Sequence, residues 1–383
     1  MCLAQVGSLL PHVVVPAIMA QHLIPLWGLS SAEAGLMASA YAFGYMLSVP
    51  LLATLTDRID ARKVLLVGSV VSALATLAFG LFAQGLLSAM AIWAIAGIGF
   101  AGAYMPGLKA MTDRLPPGDT SRAITLYTAS YSIGVSASFL VSQLAADLLG
   151  WRYAFVMTAF GPILMIAACL MMAPHHPPPT QSRLTDFSPV FRNRAALGYI
   201  FGYGAHCFEL YGIRTWIVPF WTFVAAREGG QALSPIMVSV IFTVLAMPSS
   251  LIGNEMALRF GRHRALTAIM AASCLLALAI GFCAGASAWL LLPLVIAYTF
   301  TVSADSGSLT SGMAAAAVPA NRGATMALHS TVGFGLSALG AWGAGVALDA
   351  GGGAAQASGW LAAFCVLATG IAFGPLALAW SRR

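Results

Sequence analysis

The chain is predicted to be an all-α integral membrane protein, with twelve transmembrane helices in two pseudo-symmetric six-helix bundles. Composition, the number of apolar spans and an internal repeat carry that reading. Of 383 residues, 60% are hydrophobic and 8% charged, against about 25% charged in an ordinary soluble domain. No fold in water hides so much apolar surface, so the solvent is lipid.

Apolar stretches of the roughly 20 residues needed to cross a hydrocarbon core fall at 3–25, 32–54, 63–83, 87–110, 123–147, 152–173, 196–223, 234–256, 264–285, 288–312, 323–348 and 358–379. The first starts almost at Met1 without a basic leader or a cleavage site, and is read as a spanning helix rather than a signal peptide. The longest connection, 174–195, contains Pro177, Pro178 and Pro179, which cannot continue a helix. It divides an N-terminal bundle, 1–173, from a C-terminal bundle, 196–383. His175 and His176 beside those prolines read as solvated linker.

Orientation follows from charge. With a cytoplasmic N-terminus, 15 of the 18 Lys and Arg border inner segments, Arg152 and Arg227 face outside, and Arg214 lies within a helix. The positive-inside rule therefore sets both termini in the cytoplasm and the chain in a cell inner membrane. The net charge of +6 is scattered over short loops with no basic groove, so nucleic acid is not an expected partner. The six cysteines lie in or at the ends of apolar segments without metal spacing and read as small hydrophobes. No phosphate-cradling G-x-x-x-x-G-K-[ST] loop exists, so ATP is not the motor. No cofactor and no enzyme activity are expected.

The repeat supports the two halves independently. Arg122, Thr125, Leu126 and Ser130 align with Arg322, Thr325, Met326 and Ser330 at an offset of 200, each stretch opening a helix after Pro117 or Pro319. Arg58, Arg62 and Lys63 align with Arg259, His263 and Arg264 at an offset of 201. Repeated six-helix units with a substrate path between them are a transporter plan.

The loop from Ala53 to Lys63 resembles the major facilitator superfamily signature G-x-L-A-D-R-x-G-R-[RK]. Leu55, Asp57, Arg58 and Arg62 match; Ala53, Thr56, Asp60 and Ala61 depart from it. Gly150, Trp151, Arg152 and Phe155 are similar to the family's G-W-R-x-x-F. The resemblance covers nearly the whole chain and implies the family's fold, a monomer, and a gating latch at Asp57, Arg58 and Arg62. In the second half Arg259, Gly261 and Arg262 resemble the repeated signature, but Leu258 stands at its aspartate, leaving nearby Glu255 as the only carboxylate for a latch. Trp93 stands where many proton-coupled members carry arginine, and the fifth helix lacks G-P-x-x-G-G, which argues against multidrug export. Gly97, Gly99 and the run Met105 to Lys109 locally resemble the cyanate and nitrate/nitrite branch.

Ionisable groups inside a membrane cost at least ~2.5–3.5 kcal/mol and mark functional candidates. The seventh span carries His206, Glu209 and Arg214, the tenth Asp305, the eleventh His329. At about 100° per residue, His206 and Glu209 share a face, while Glu209 and Arg214 stand about 140° apart and pair only if Gly212 breaks the helix. Arg214 offers a fork to an anion; Glu209 or Asp305 suits proton exchange, with histidine as relay. Lys109 and Tyr104 near the inner end of the fourth span suit an anion as well. The bland alternative is that these groups only neutralise one another between helices.

The expected function is secondary active transport of a small anionic or zwitterionic solute by alternating access, coupled to protons. A second reading makes His206, Cys207, Glu209, Asp305 and His329 ligands of a divalent transition metal, with His12 completing the path. Export of drugs or metabolites and a non-transporting sensor are further alternatives. The expected partners are the lipid bilayer, the solute or ion, and protons.

Overall fold

Lipid offers the backbone no hydrogen-bond partner, so a segment that crosses it must satisfy its own amides, and a helix does so. A computed structural model describes residues 1–116, 120–177, 186–229, 232–318 and 321–382, with backbone only at 120–125, 128–129 and 322. Pro117, Pro178, Pro179, Arg183, Pro319 and Arg383, and the side chains of Arg122, Thr125 and Arg322, lie outside the described residues.

The twelve crossings follow in order. α1 is a chain of short pieces, Cys2–Ser8, Val14–Ile18, a π-helical turn Met19–Leu23, and Ile24–Trp27. Pro11, Pro16 and Pro25 explain the interruptions, since each removes an amide donor. α2 is Ser31–Leu55, α3 Ala61–Phe82, α4 Leu86–Thr112 and α5 Thr120–Leu149. α6, Trp151–Met171, carries an irregularity at Phe160 ahead of Gly161 and Pro162. A short turn, Ser188–Phe191, leads into α7, Arg194–Arg227. α8 is Pro235–Phe260, α9 Arg262–Phe282, α10 Ala288–Ala316, α11 Arg322–Ala350 and α12 Ala357–Ser381.

Among the described residues, ten helices are long and apolar enough to span a membrane. The other two crossings are α1, which is interrupted, and α7, which holds His206, Glu209 and Arg214. The two deviant helices are therefore the first of each half. Leu47, Leu51, Leu74, Leu251, Leu275 and Phe373 are more than half exposed, which fits side chains whose solvent is hydrocarbon.

The chain divides into two compact units. One comprises Met1–Ile18 and Ala40–Asp186; the other Met19–Ser39 and Phe187–Arg383. Helices in lipid associate through close van der Waals fit and small residues rather than through the hydrophobic effect. In the first unit, Gly44 of α2 meets the carbonyl of Ala94 on α4, and Gly97 of α4 meets the carbonyl of Tyr41 on α2. Gly68 of α3 packs on Gly99 and Gly102 of α4, and Gly7 and Gly161 bring α1 against α6.

The second unit repeats the device. Gly253 of α8 meets the carbonyl of Ala304 on α10, the counterpart of the Gly44 contact, and Gly340 of α11 meets the carbonyl of Phe208 on α7. Leu197, Ile200, Leu266, Met270, Leu309, Ile371 and Leu378 fill the core between α7, α9, α10 and α12. Residues 31–39 pack along α11: Ser39 donates to the carbonyl of Ala338 at 2.6 Å. The N–H groups of Ser31 and Ala32 donate to Asp349 Oδ1 and Oδ2 at 2.9 and 2.7 Å. A carboxylate at the end of α11 thus satisfies two of the free amides that open α2 and meets the positive end of its dipole.

Candidate functional site

α7 is continuous from Arg194 to Arg227, and its rotation sends successive polar side chains toward different neighbours. Asn193 starts it by accepting from the N–H of Ala196 at 3.0 Å, and its amide donates to the carbonyl of Ala316 at the end of α10, at 2.7 Å. This fixes the start of α7 against the end of α10, the helix that carries Asp305 opposite His206.

His206 Nδ1 lies 2.7 Å from Asp305 Oδ1, with both side chains at most 2% exposed. The contact is an ion pair by distance rather than an aligned hydrogen bond. α10 is interrupted at Asp305, with helix on either side ending at Ala304 and resuming at Ser306. Breaking such a buried pair by removing one partner costs about 3–5 kcal/mol.

One turn on, Glu209 is fully buried and its Oε1 accepts from Ser273 of α9 at 2.8 Å. The buried hydroxyl of Tyr298 on α10 interacts with the same carboxylate. Arg214, 5% exposed, stacks its guanidinium over Tyr211 at 4.8 Å. Glu209 and Arg214 form no ion pair among the described residues, as an unbroken helix requires.

His329 of α11 is 3% exposed, stacks on Tyr203 at 3.8 Å between centroids, and has no hydrogen-bond partner for either ring nitrogen. Tyr203 also lies flat against His206, at 5.6 Å, so the three rings form a column with the tyrosine between the histidines. Gly333 leaves the room for Tyr203, because a Cβ there would meet its ring and Cys207 Sγ. The structure therefore brings His206, Asp305 and His329 together through Tyr203, with Glu209 on the same helix bonded separately to α9. Among the described residues, no three of His, Cys, Asp and Glu gather as a metal site would require.

Lys109 and Tyr104 serve different neighbourhoods. Lys109 Nζ donates to Asp113 at 3.2 Å and lies 3.8 Å from Asp57. Tyr104 belongs to an aromatic group with Phe100, Tyr127 and Tyr131. In the same group His12 meets the hydroxyl of Tyr131 at 2.8 Å.

At the signature loop, Asp60 rather than Asp57 holds the network. It opens α3 by accepting from the N–H of Arg62 at 2.9 Å, accepts from the N–H of His175 at 2.9 Å, and takes both oxygens to Arg114. Arg114 also donates to the carbonyl of Ala173, and Arg62 to that of Met172. Burial alone would raise the Asp60 carboxyl. The hydrogen bonds from Arg114, His175 and Arg62, with the charge of Arg114, hold it down to about 2. Asp57 is pushed up by burial, opposed by Lys109 and reinforced by Asp113. Arg58 and Glu255 are exposed, and Glu255 makes no ion pair among the described residues.

Sequence reasoning passed over Asp60, Arg114, Ser273 and Tyr298. Only Asp60 carried a local signal, an aspartate placed to cap the helix that begins at Ala61.

Paired units of apolar helices, with ionisable side chains buried in lipid-embedded segments, define a polytopic integral membrane protein. Residues 1–341 match the model of the Major Facilitator Superfamily, and the chain belongs to that family. Its fold is that of a bacterial homolog to the human lysosomal transporter Spinster. The unoccupied inward-facing form of that protein superposes with a TM-score of 0.73 at 18% identity, covering 99% of this chain and 94% of the other. The occupied inward-facing form gives 0.73 at 16%, covering 100% and 94%. A D-galactonate transporter of Escherichia coli O6:H1 is 29% identical over 164 residues, which is 42% of this chain and 37% of the relative. A probable sulfoacetate transporter of Cupriavidus necator is 29% identical over 129 residues, 34% and 30%. The aligned stretches thus span about a third of each relative.

Proposed function

We propose that the chain is a secondary transporter, not an enzyme, that moves a small organic anion by alternating access together with protons. The observation that carries this is the buried group on α7 and its neighbours. It holds two carboxylates, Glu209 and Asp305, one guanidinium, Arg214, and two imidazoles, His206 and His329.

The charge count supports coupling. With both carboxylates ionised and both imidazoles neutral, the group is one negative charge in excess. One proton brings it to neutrality. A bound anion restores the deficit and calls for a second proton, because unbalanced charge in a low-dielectric site costs several kcal/mol. Anion and proton entering together leave the site neutral at each stage. Both curated relatives carry names of transporters of organic anions, which agrees with this reading. The metal alternative lacks a ligand cage among the described residues.

The chain acts in a bacterial-type inner membrane with both termini cytoplasmic, as the charge bias indicates, and a single copy holds the complete set of buried charges. The signature-loop network around Asp57, Arg58, Arg62 and Asp60 serves as the cytoplasmic latch.

The test is uptake into proteoliposomes under an imposed pH gradient, with a panel of carboxylates and sulfonates. Uptake is expected to follow the gradient, and Glu209→Gln or Asp305→Asn to abolish that dependence. Gradient-driven uptake that survives both variants, or metal-induced stabilisation that disappears in His206→Ala and His329→Ala, would overturn the proposal.

A further inference from the structure

The beginning of α9 answers to the beginning of α3 at the offset of 201, since Gly261 stands where the first half has Asp60. The two helix starts are finished differently. Asp60 opens α3 with a carboxylate that gathers the N–H of Arg62, the N–H of His175 and the Arg114 guanidinium. Gly261 opens α9 without a side-chain cap, and Arg262, His263 and Arg264 follow it with no acidic residue in the first turn. Its φ of +89° strains any residue with a Cβ, so the chain itself places no carboxylate there.

The positive charge around this helix start has no counter-charge. Arg194, Arg259, Arg262, Arg264 and Arg382 form no ion pair among the described residues, whereas Arg62, Lys109 and Arg114 of the first unit all do. Arg262 Nε is buried with no hydrogen-bond partner among the described residues, and a buried charged donor without an acceptor is costly. Neighbouring elements close on the same place. A Cβ at Gly198 would meet Ser381, which brings the start of α7 against the end of α12. The Tyr199 ring lies 5.4 Å from that of His263, its hydroxyl 3.5 Å from Nδ1, and the charges of Arg262 and Arg382 both act on this imidazole. The starts of α7 and α9 and the end of α12 thus form one basic corner, entirely within the second unit.

The chemistry missing from the corner is an anion with several acceptor oxygens, the property of a phosphate. What adjoins it is apolar. Arg194 stacks over Trp380 at 4.7 Å, Phe201 lies 6.4 Å from the same indole, and Arg259 lies 5.5 Å over Phe260. Trp380, Phe201 and Phe260 are exposed. Arginines flanked by exposed aromatic rings fit a molecule whose phosphate continues into hydrocarbon, and a soluble phosphate makes no use of the rings.

We propose that this corner binds an anionic phospholipid, with its headgroup phosphate in the part that Asp60 plays in the first unit. Arg262 and Arg382 donate to the phosphate, and the start of the acyl region lies along Trp380. The site does not depend on the cargo. It requires that this end of the second unit meet a leaflet surface, the cytoplasmic one in the orientation proposed above.

The test uses the purified full chain in nanodiscs of phosphatidylcholine alone or with about one phosphatidylglycerol in four lipids. Thermal unfolding reads stabilisation, and native mass spectrometry reads retained lipid. Phosphatidylglycerol is expected to raise the unfolding temperature of the wild-type chain and to stay bound. Arg262→Gln and Arg382→Gln should each weaken its retention about tenfold. Lys63→Gln, which removes one exposed charge from the start of α3, should leave it unchanged. Equal retention in all three variants, or equal loss in all three, reduces the corner to unspecific surface charge and overturns the site. Glycerol phosphate and inorganic phosphate, added to protein in neutral detergent, separate the sources. Stabilisation by either that matches phosphatidylglycerol assigns the corner to a soluble phosphate and overturns the lipid. If Arg262→Gln does not fold, Arg262→Lys takes its place, keeping the charge but losing the fork, with weaker retention still expected. Every readout is of binding, so failure of the transport reading leaves this site standing, and the reverse.

Discussion

Asp60 and Arg114 meet through a single guanidinium nitrogen, Nη2, which donates to both carboxylate oxygens at 2.8 and 2.9 Å. The two residues stand at the start of α3 and just beyond the end of α4, and the His175 N–H adds the segment that follows α6. Three chain segments of the first unit are thereby held by one carboxylate.

Acid should loosen this unit in a defined window. Asp60 sits at about 2 against an ordinary 3.8, so its folded-state pKa is depressed. Its contribution of about 2 kcal/mol is fully present above pH ~4 and lost as pH falls through ~2. Asp60→Asn is expected to lower the unfolding temperature at pH 7 and to flatten the loss of stability between pH 4 and 2, read by thermal unfolding in detergent.

Asp349→Ala should weaken the start of α2. Its two oxygens take the N–H groups of Ser31 and Ala32, and loss of a cap costs about 1 kcal/mol. Hydrogen exchange at the amides of residues 31–33 is expected to rise about tenfold, with little change at the amides opening α3.

His206 and Asp305 should behave as one unit. Asp305→Asn and His206→Gln are each expected to cost about 3 kcal/mol and most of the transport. The double variant should cost much less than the sum of the two, because no charge is then stranded. Additive losses in a double-mutant cycle would separate the two residues.

Ser273→Ala removes the hydrogen bond that Glu209 accepts from α9. Destabilisation of about 1–2 kcal/mol is expected, and the pH profile of gradient-driven uptake should shift while Ser239→Ala leaves it in place. Ser239, on α8, is as buried as Ser273 and donates to the carbonyl of Ile236.

The membrane class, the helix count and the family were legible because they depend on composition, span length and a local motif. Partnership was not. Periodicity placed His206 and Glu209 on one face of α7, yet one goes to α10 and the other to α9, since two positions a turn apart can address different neighbours. Reading the family signature drew attention to Asp57, whereas the folded network centres on Asp60, whose partners at 114 and 175 are remote in sequence. The absence of an ion pair between Glu209 and Arg214 among the described residues followed from helical geometry once α7 proved continuous. The interruption of α1 was available in Pro11, Pro16 and Pro25, but apolar character masked it as one span.

The crossings at Gly44 and Ala94 and at Gly253 and Ala304 are asymmetric. On each, one helix supplies the missing side chain and the other only a carbonyl. The carbonyl partner is limited at this contact only by its own burial, which is complete at Ala304 and partial at Ala94. The glycine cannot gain a Cβ without pushing the helices apart, at a cost of about 1–3 kcal/mol or more. Sequence drift at these points therefore works as a one-way ratchet. Among functional variants, position 94, which is half-buried, should wander through small and medium residues while 44 and 253 stay fixed, and Ala304, itself 1% exposed, should stay small. A saturation library would show that contrast directly, in helices that hydropathy alone scores as interchangeable grease.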